Sequence, residues 1–487
     1  MKKYIAVTVG PIFETISLSS KPASLWAASY LFSYLVRTAC EQLTADGVCT
    51  EEDIVTPYFK SDDALMNADN GVGLFHDHMI FRYENNNLQP VSNALNKAIE
   101  KTADAYGLSS AFLKEYINLN ACSFAVEDGE NIILKCGKML DCMELAKRFR
   151  PKDDSRELAR LFDSGSTNDR IKEIAVGALG IDEAKWQMTQ NGKLRDLGNI
   201  AYSPALKDMK KSNYICVLRS DGDNMSKIIE TLKSDDDCRA FSRVCMQYCS
   251  HVAAATGSYG GATIYAGGDD LLALVPCENG NGETVFHLID KINAIFADDF
   301  RTYMDTAAVK PALSYGVFIG YKKFPLYEAV NLSADLLFGV SKRNGGKDCI
   351  TVNLQKHAGQ SAQLCIRNSA LKDFLKMLEQ ANTQNAGNAA SKGNEQVFLS
   401  AGQKISLFGT LFDQCDESNC FNVFENVFDA AFHLNNSTDY FHKTLPEFFI
   451  NCILNDNIVT LTENPGHAET MAAALRIIKF YTEGGSN

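Results

Sequence analysis

The sequence predicts an α+β protein. Three observations carry that reading: β-like apolar runs that lead into helical periods near residues 4 and 214, an apolar hairpin at 264–275 whose turn holds two carboxylates, and helical patterns over 108–210 and 355–487. At 487 residues the chain is too long for one core and fits roughly three domains of about 150 residues each.

Four regions follow. Residues 1–107 open with the β-like run 4–9, pass Gly10-Pro11, and continue as a helix through Leu25, Trp26, Tyr30, Leu31, Leu35 and Val36. Further β-like segments at 53–59 and 78–83 and a helix at 91–105 complete an α+β unit. Residues 108–212 read as a helical insert, with a loop at the polar stretch 163–170. Residues 213–354 run from the strand at Tyr214 through the loop Ser220-Asp-Gly-Asp-Asn into helices at Met225 and at 238–255. The hairpin follows, then a helix at 284–298, a strand at 313–319, a helix at 327–342 and a strand at 349–354. That order, βαα-ββ-αβαβ, is a palm. Residues 355–487 read as a helical C-terminal domain, with a flexible loop at 382–395, where Asn, Gln, Gly and Ser leave too little apolar surface to order the chain. Tyr4-Ile-Ala-Val-Thr-Val-Gly-Pro echoes Tyr214-Ile-Cys-Val-Leu-Arg-Ser-Asp, which puts Pro11 where Asp221 falls and makes the first unit a palm without the metal ligand.

Composition narrows the function classes. The 46% apolar fraction is that of a globular protein. No apolar run approaches the roughly 18 residues of a membrane span, and the start before Gly10 is too short for a signal peptide, so a cytoplasmic protein with no membrane partner is expected. Fifteen scattered cysteines, an odd number with no Cys-x-x-Cys pair, read as reduced buried thiols rather than a disulfide framework or a zinc site. A net charge of −13 argues against a free-standing protein that coats nucleic acid. It suits a partner-dependent protein, or a small substrate carried with Mg²⁺.

The chemistry concentrates at Gly267-Gly268-Asp269-Asp270. The glycines permit a tight turn and leave room for a phosphate, and the adjacent carboxylates repel one another unless a cation neutralises them. Mg²⁺ and Mn²⁺ take such oxygen ligands. Asp221 ends a strand that a palm places beside this hairpin, with Gly222, Asp223 and Asn224 in its loop. Carboxylates so placed suit two metal ions about 3.5–4 Å apart, one activating a hydroxyl and one holding a triphosphate. Taken singly, the hairpin reads equally as a solvated turn and the loop as a helix cap. Together they favour catalysis. Lys342 and Lys347 are candidate phosphate contacts that read as well as a basic helix C-terminus, and Ser314 is a candidate nucleotide contact that reads more simply as a strand start. His76-Asp77-His78 reads as a surface turn, and the stripe Trp26, Tyr30, Tyr34 as packing.

The chain resembles the large polymerase-like subunit of type III CRISPR effector complexes, in its Cmr-like version. The residues that carry this are Val9-Gly-Pro-Ile-Phe-Glu-Thr-Ile with Leu25-Trp-Ala-Ala-Ser-Tyr, Gly71-Val-Gly-Leu-Phe-His-Asp-His, Ser220-Asp-Gly-Asp-Asn-Met, Tyr265-Ala-Gly-Gly-Asp-Asp, and Ser314-Tyr-Gly-Val-Phe with Pro325-Leu-Tyr-Glu-Ala. Gly-Gly-Asp-Asp alone is shared with diguanylate cyclases. The resemblance implies two ferredoxin-like palms, the second of GGDEF/polymerase type, with helical domains between and after them. It implies ATP as substrate, polymerised to cyclic oligoadenylate when the complex captures target RNA, with guide RNA and other effector subunits as partners. It makes Asp221, Asp269 and Asp270 metal ligands, Asp223 a helper and Lys342 a phosphate contact. Family members usually begin with an HD nuclease domain, whereas here a palm strand starts at residue 4, so DNA cleavage is not expected. Some lineages lacking that domain join AMP to S-adenosylmethionine, which is the alternative acceptor. A catalytically silent structural subunit and a free-standing GTP cyclase are the competing classes.

Overall fold

The computed structural model describes residues 2–67, 70–127, 129–144, 156–163, 167–202, 210–305, 310–357, 359–386, 394–429, 440–455 and 466–482. Its first unit follows the chain as β1 (Lys2–Gly10), a short helix, α1 (Pro22–Ala45), β2 (Ile54–Thr56), β3 (His78–Arg82), α2 (Gln89–Tyr106) and β4 (Asn118–Val126). The sheet is antiparallel in the order β2-β3-β1-β4. α3 (Ile132–Glu144) follows it.

The second unit runs β5 (Tyr214–Asp223), α4 (Asp235–Tyr259), β6 (Ala262–Gly267), β7 (Asp270–Pro276), α5 (Val285–Asp299), β8 (Ala312–Tyr321), α6 (Leu326–Ala334), β9 (Cys349–Gln355) and β10 (Ser361–Arg367). Its sheet order is β10-β9-β8-β5-β7-β6, with β8 and β9 parallel and the other pairs antiparallel. The four strands β5 to β8 repeat the connection and spatial order of β1 to β4. Both units are therefore ferredoxin-like palms, as the resemblance implied.

Two strands fall in stretches that read as helical. β4 carries Leu119, Phe124 and Val126 among small and polar residues. Its extended state comes from nine-residue pairing with β1 rather than from a strong pattern of its own. β10 alternates buried Ala362, Leu364 and Ile366 with more open neighbours, a period of two hidden by its isolation among helices. The polar stretch 163–170 is helical from Thr167, and helices cover 382–386 and 394–395; the remainder of the 382–395 stretch lies outside the described residues.

The palms face each other reciprocally: α1 of the first packs on β6 of the second, and α4 of the second packs on β2 of the first. This position explains why α1 is apolar on nearly every side, with Leu25, Trp26, Leu31, Leu35 and Val36 all buried. Trp26 stacks on Tyr30, meets Trp186 of the insert with ring centroids 4.6 Å apart, and donates from Nε1 to the Gly71 carbonyl. The aromatic stripe is packing, as expected. α4 begins with a capping box between Ser234 and Asp237, its acidic first turn matched to the helix dipole, and ends at Gly260 with φ +99°.

The insert also anchors β6 and the end of α4 that leads into it. Gln187 donates from Nε2 to the Ala253 carbonyl and accepts from the Thr263 N–H, and Arg195 donates to the carbonyls of Gly260 and Gly261. The last described helix (His467–Thr482) packs on β10, and the buried Lys211 joins it to the palm by donating to Glu278 Oε2 (2.6 Å) and the Tyr481 carbonyl (2.5 Å). All fifteen cysteines are free thiols, and all but Cys122, Cys142 and Cys365 are buried. Among the described residues no helix is long and apolar enough to cross a membrane.

Candidate active site

The Gly-Gly-Asp-Asp turn joins β6 to β7 through two residues, with Gly267 and Asp270 paired across it. Gly268 has φ +70° while Asp269 is not left-handed, the sign pattern of a type II′ hairpin turn. Gly267 serves differently: a Cβ there would stand 2.5 Å from the Tyr265 hydroxyl, so its smallness seats that ring. The loop expected from Ser220 is strand as far as Asp223, because 221–223 pair with 312–314 of β8, and pairing of β5 with β7 brings this strand end alongside the turn, since Ser220 opposes Leu271.

The end of β5 meets Asp269. A Cβ at Gly222 would collide with the Asp269 carboxylate and stand 2.6 Å from Met225 Cγ, so the absence of a side chain at Gly222 is what lets Asp269 rest against the strand there. Asp223 is fully buried: its Oδ2 accepts from Ser314 Oγ (2.6 Å) and the Asp348 N–H (2.8 Å). Ser314 thus reaches the site through Asp223 and not as a nucleotide contact in the cavity, a correction that follows from its complete burial in β8. Lys342, near the end of the wide-turned helix Asp335–Asn344, forms an ion pair with Asp221, donates to the Gly222 carbonyl (2.8 Å) and stands 3.6 Å from Asp223 Oδ1. Lys347 is exposed at φ +75°, its Nζ 3.3 Å from Asn224 Oδ1.

Electrostatics follow from this crowding. Burial, then Asp270 and Asp223, push the Asp269 carboxyl well above its ordinary range. Burial and Asp77 push Asp270 up, while the Arg219 guanidinium opposes them. Burial also raises Asp223, against the stabilising bonds from Ser314 and Asp348. Burial and then Lys347 pull Lys342 down to about 8.

The site fits a divalent cation in its donors. Asp223 Oδ1 is buried without a hydrogen-bond partner, and the Asp269 carboxylate stands against Gly222, the residue between Asp221 and Asp223 in sequence. Among the described residues, however, no three His, Cys, Asp or Glu side chains are grouped closely enough to ligate one ion, and the cation in contact with Asp221 is the Lys342 ammonium. The expected convergence is thus divided: Asp269 meets Gly222 at the end of β5, while Asp270 has Arg219 and Asp77 as charged neighbours.

Asp77 is the residue that sequence reasoning misjudged. His76-Asp77-His78 is not a surface turn; with Asp269 and Asp270 it lines a cavity of about 280 Å³ between the palms, further walled by Ile133 and Leu140 of α3 and Phe241 of α4. His76 Nε2 lies 2.9 Å from Thr56 Oγ1, which in turn lies 3.3 Å from Ser242 Oγ on α4. Nothing local signals this, because the segment reaches the cavity only by the docking of one palm on the other. Arg219, interior to a β-like run, was missed for the same reason.

The fold and this site define a palm of the nucleotidyltransferase-like class. Residues 214–351 match the family model Cas10/Cmr2, second palm domain, and residues 4–106 match CRISPR-associated protein Cmr2, N-terminal. The CRISPR system Cmr subunit Cmr2 of Pyrococcus furiosus is 35% identical over 101 residues, which are 20% of this chain and 11% of that protein; the match therefore spans about a tenth of the relative's length. Among solved structures, a Csm1-Csm4 cassette in complex with cA4 superposes with a TM-score of 0.58 at 12% identity, covering 99% of this chain and 70% of that one. Csm1 of T. onnurineus gives 0.56 at 11% over the same shares. Over these two stretches the chain is similar to Cas10/Cmr2 proteins.

Proposed function

We propose that this chain is the nucleotide-polymerising subunit of an RNA-guided type III CRISPR effector, joining AMP units from ATP into cyclic oligoadenylate when target RNA is bound, each new phosphodiester replacing an α–β phosphoanhydride bond with release of pyrophosphate. One observation carries the reading: Asp269 of the hairpin lies against Gly222 at the end of β5, between Asp221 and Asp223 in sequence, and lines a cavity that both palms build. The fold likeness supports it, since a Csm1-Csm4 cassette has been crystallised with AMPPNP and others with cA4 and cA3.

In this mechanism Asp221, Asp223 and Asp269, with Asp270 beside them, would hold divalent cations, which would supply positive charge for the triphosphate and Lewis acidity for the attacking hydroxyl. Lys342 stands beside the end of β5 as a point charge for the phosphates. The apolar wall at Ile133, Leu140 and Phe241 excludes water around an acceptor placed between the palms. Positioning and charge neutralisation then do the catalysis.

The test is the assembled complex with target RNA, ATP and Mn²⁺, with product identified by mass spectrometry, with and without S-adenosylmethionine as competing acceptor. Cyclic oligoadenylate is expected, and Asp269→Ala with Asp270→Ala should lower its formation by about 100-fold or more. Unchanged product from that double variant would overturn the enzymatic reading. An AMP conjugate in place of the cyclic product would keep the site and replace the acceptor.

A further inference from the structure

The cation against Asp221 belongs to the protein itself. Lys342 Nζ is the donor to the Gly222 carbonyl at 2.8 Å, the ion-pair partner of Asp221, and the charge 3.6 Å from Asp223 Oδ1, the carboxylate oxygen that is buried with no hydrogen-bond partner. Both side chains of the Lys342–Asp221 pair are less than one-fifth exposed. An isolated carboxylate oxygen so placed is costly, and the ammonium is what offsets it.

We propose that Lys342 is a resident counter-ion of the metal site: without nucleotide its ammonium occupies the space between Asp221, the Gly222 carbonyl and Asp223, and a divalent cation enters only by displacing it. This rests on the reading of residues 221–223 as a metal site. The backbone around Lys342 is fixed, because Ser341 is fully buried, donates to the Tyr315 carbonyl (2.7 Å) and bonds Thr351 Oγ1 (2.6 Å). The exchange is therefore a swing of one four-carbon stem rather than a refolding of the helix. A displaced ammonium needs an anion. Nucleotide phosphates arriving with the metal supply it, so nucleotide and metal each favour the binding of the other. Lys342 is in this sense a positioning residue that keeps bare metal out of an empty site.

Lys347 provides the control. It is a cation of the same neighbourhood, but its Nζ lies at Asn224 Oδ1 and not among the carboxylates. Mn²⁺ binding to the full chain is measured by the loss of free-ion electron paramagnetic resonance signal, with and without a non-hydrolysable ATP analogue. In the absence of nucleotide, Lys342→Met should bind Mn²⁺ about tenfold more tightly than the unaltered chain, since displacement of a partly buried ion pair is no longer required. The enhancement of Mn²⁺ affinity by the analogue should shrink by the same factor. Lys342→Arg, which keeps a cation there, should retain weak metal binding, and Lys347→Met should change it by less than about threefold, as expected for a screened surface charge.

If Lys342→Met binds Mn²⁺ no more tightly than the unaltered chain while the analogue still promotes binding in the latter, the counter-ion role is wrong and the metal site stands. Equal tightening by Lys347→Met also overturns it, as a general charge effect. If no protein binds Mn²⁺ even with the analogue, both the counter-ion and the metal reading fall. Circular dichroism of each variant, matching that of the unaltered chain, shows that the comparison is between folded proteins.

Discussion

Asp269 and Asp270 are neighbours in sequence with different surroundings. Asp269 presses on the backbone of Gly222 and shares the negative field of Asp223, whereas Asp270 is balanced by Arg219 and crowded by Asp77 of the other palm. Asp269 is the last residue of the turn and Asp270 the first of β7, so equivalence suggested by an Asp-Asp pair does not survive folding. Gly222 is the pivot of the arrangement. Gly222→Ala inserts a methyl into the space of the Asp269 carboxylate and of Met225, and should destabilise the chain by about 1–3 kcal/mol in a urea titration while nearly abolishing nucleotide transfer. A stable and active Gly222→Ala protein would mean that Asp269 does not rest on that strand end.

At the scale of the element, the hairpin of β6 and β7 is set by its turn and by its anchors. A Cβ added at Gly268 would meet nothing within 4 Å, so the requirement there is the φ of +70° alone. Gly268→Ala should therefore cost about 1–2 kcal/mol of stability, from left-handed strain, with the site otherwise intact. A drop in melting temperature with catalysis retained is the expected outcome, in contrast to Gly222→Ala. The palm elements were legible because their signals were local: helices read at 238–255 and 284–298 are Asp235–Tyr259 and Val285–Asp299, and strands read at 313–319 and 349–354 are Ala312–Tyr321 and Cys349–Gln355. β4 was not legible, since Asn118–Val126 offers no run of large alternating residues and is held extended by β1. β10 left a readable alternation that its helical surroundings masked.

At the scale of the molecule, the cavity exists because two palms dock through α1 on β6 and α4 on β2. His76 sits at that junction, bonded to Thr56, which reaches Ser242 of α4. Burial and the neighbouring His78 pull its imidazole down to about 3, so the folded protein holds it neutral. Because the unfolded chain takes up this proton first, the contribution of His76 to stability is present near neutral pH and is lost as pH falls from about 6.5 toward 3. Melting temperature in a pH series should fall more steeply below about pH 6.5 for the unaltered chain than for His76→Asn, which has no such proton to gain. Equal slopes would place the imidazole outside the buried junction.

The sequence by itself determined the α+β class, the order of elements in the second palm, the hairpin with its two aspartates, and Asp221-Gly222-Asp223 as its companion, though it read as loop what is the end of β5. Each rests on periodicity or turn chemistry that spans few residues, and so needs no knowledge of distant partners. Only the tertiary structure decided that Ser314 is spent on Asp223, that Lys342 is paired with Asp221, and that His76-Asp77-His78 faces Asp269 and Asp270 across a shared cavity. Those facts depend on which side chains become neighbours when one sheet pairs β5 with β8 and one palm closes on the other, and separations along the chain carry no record of either.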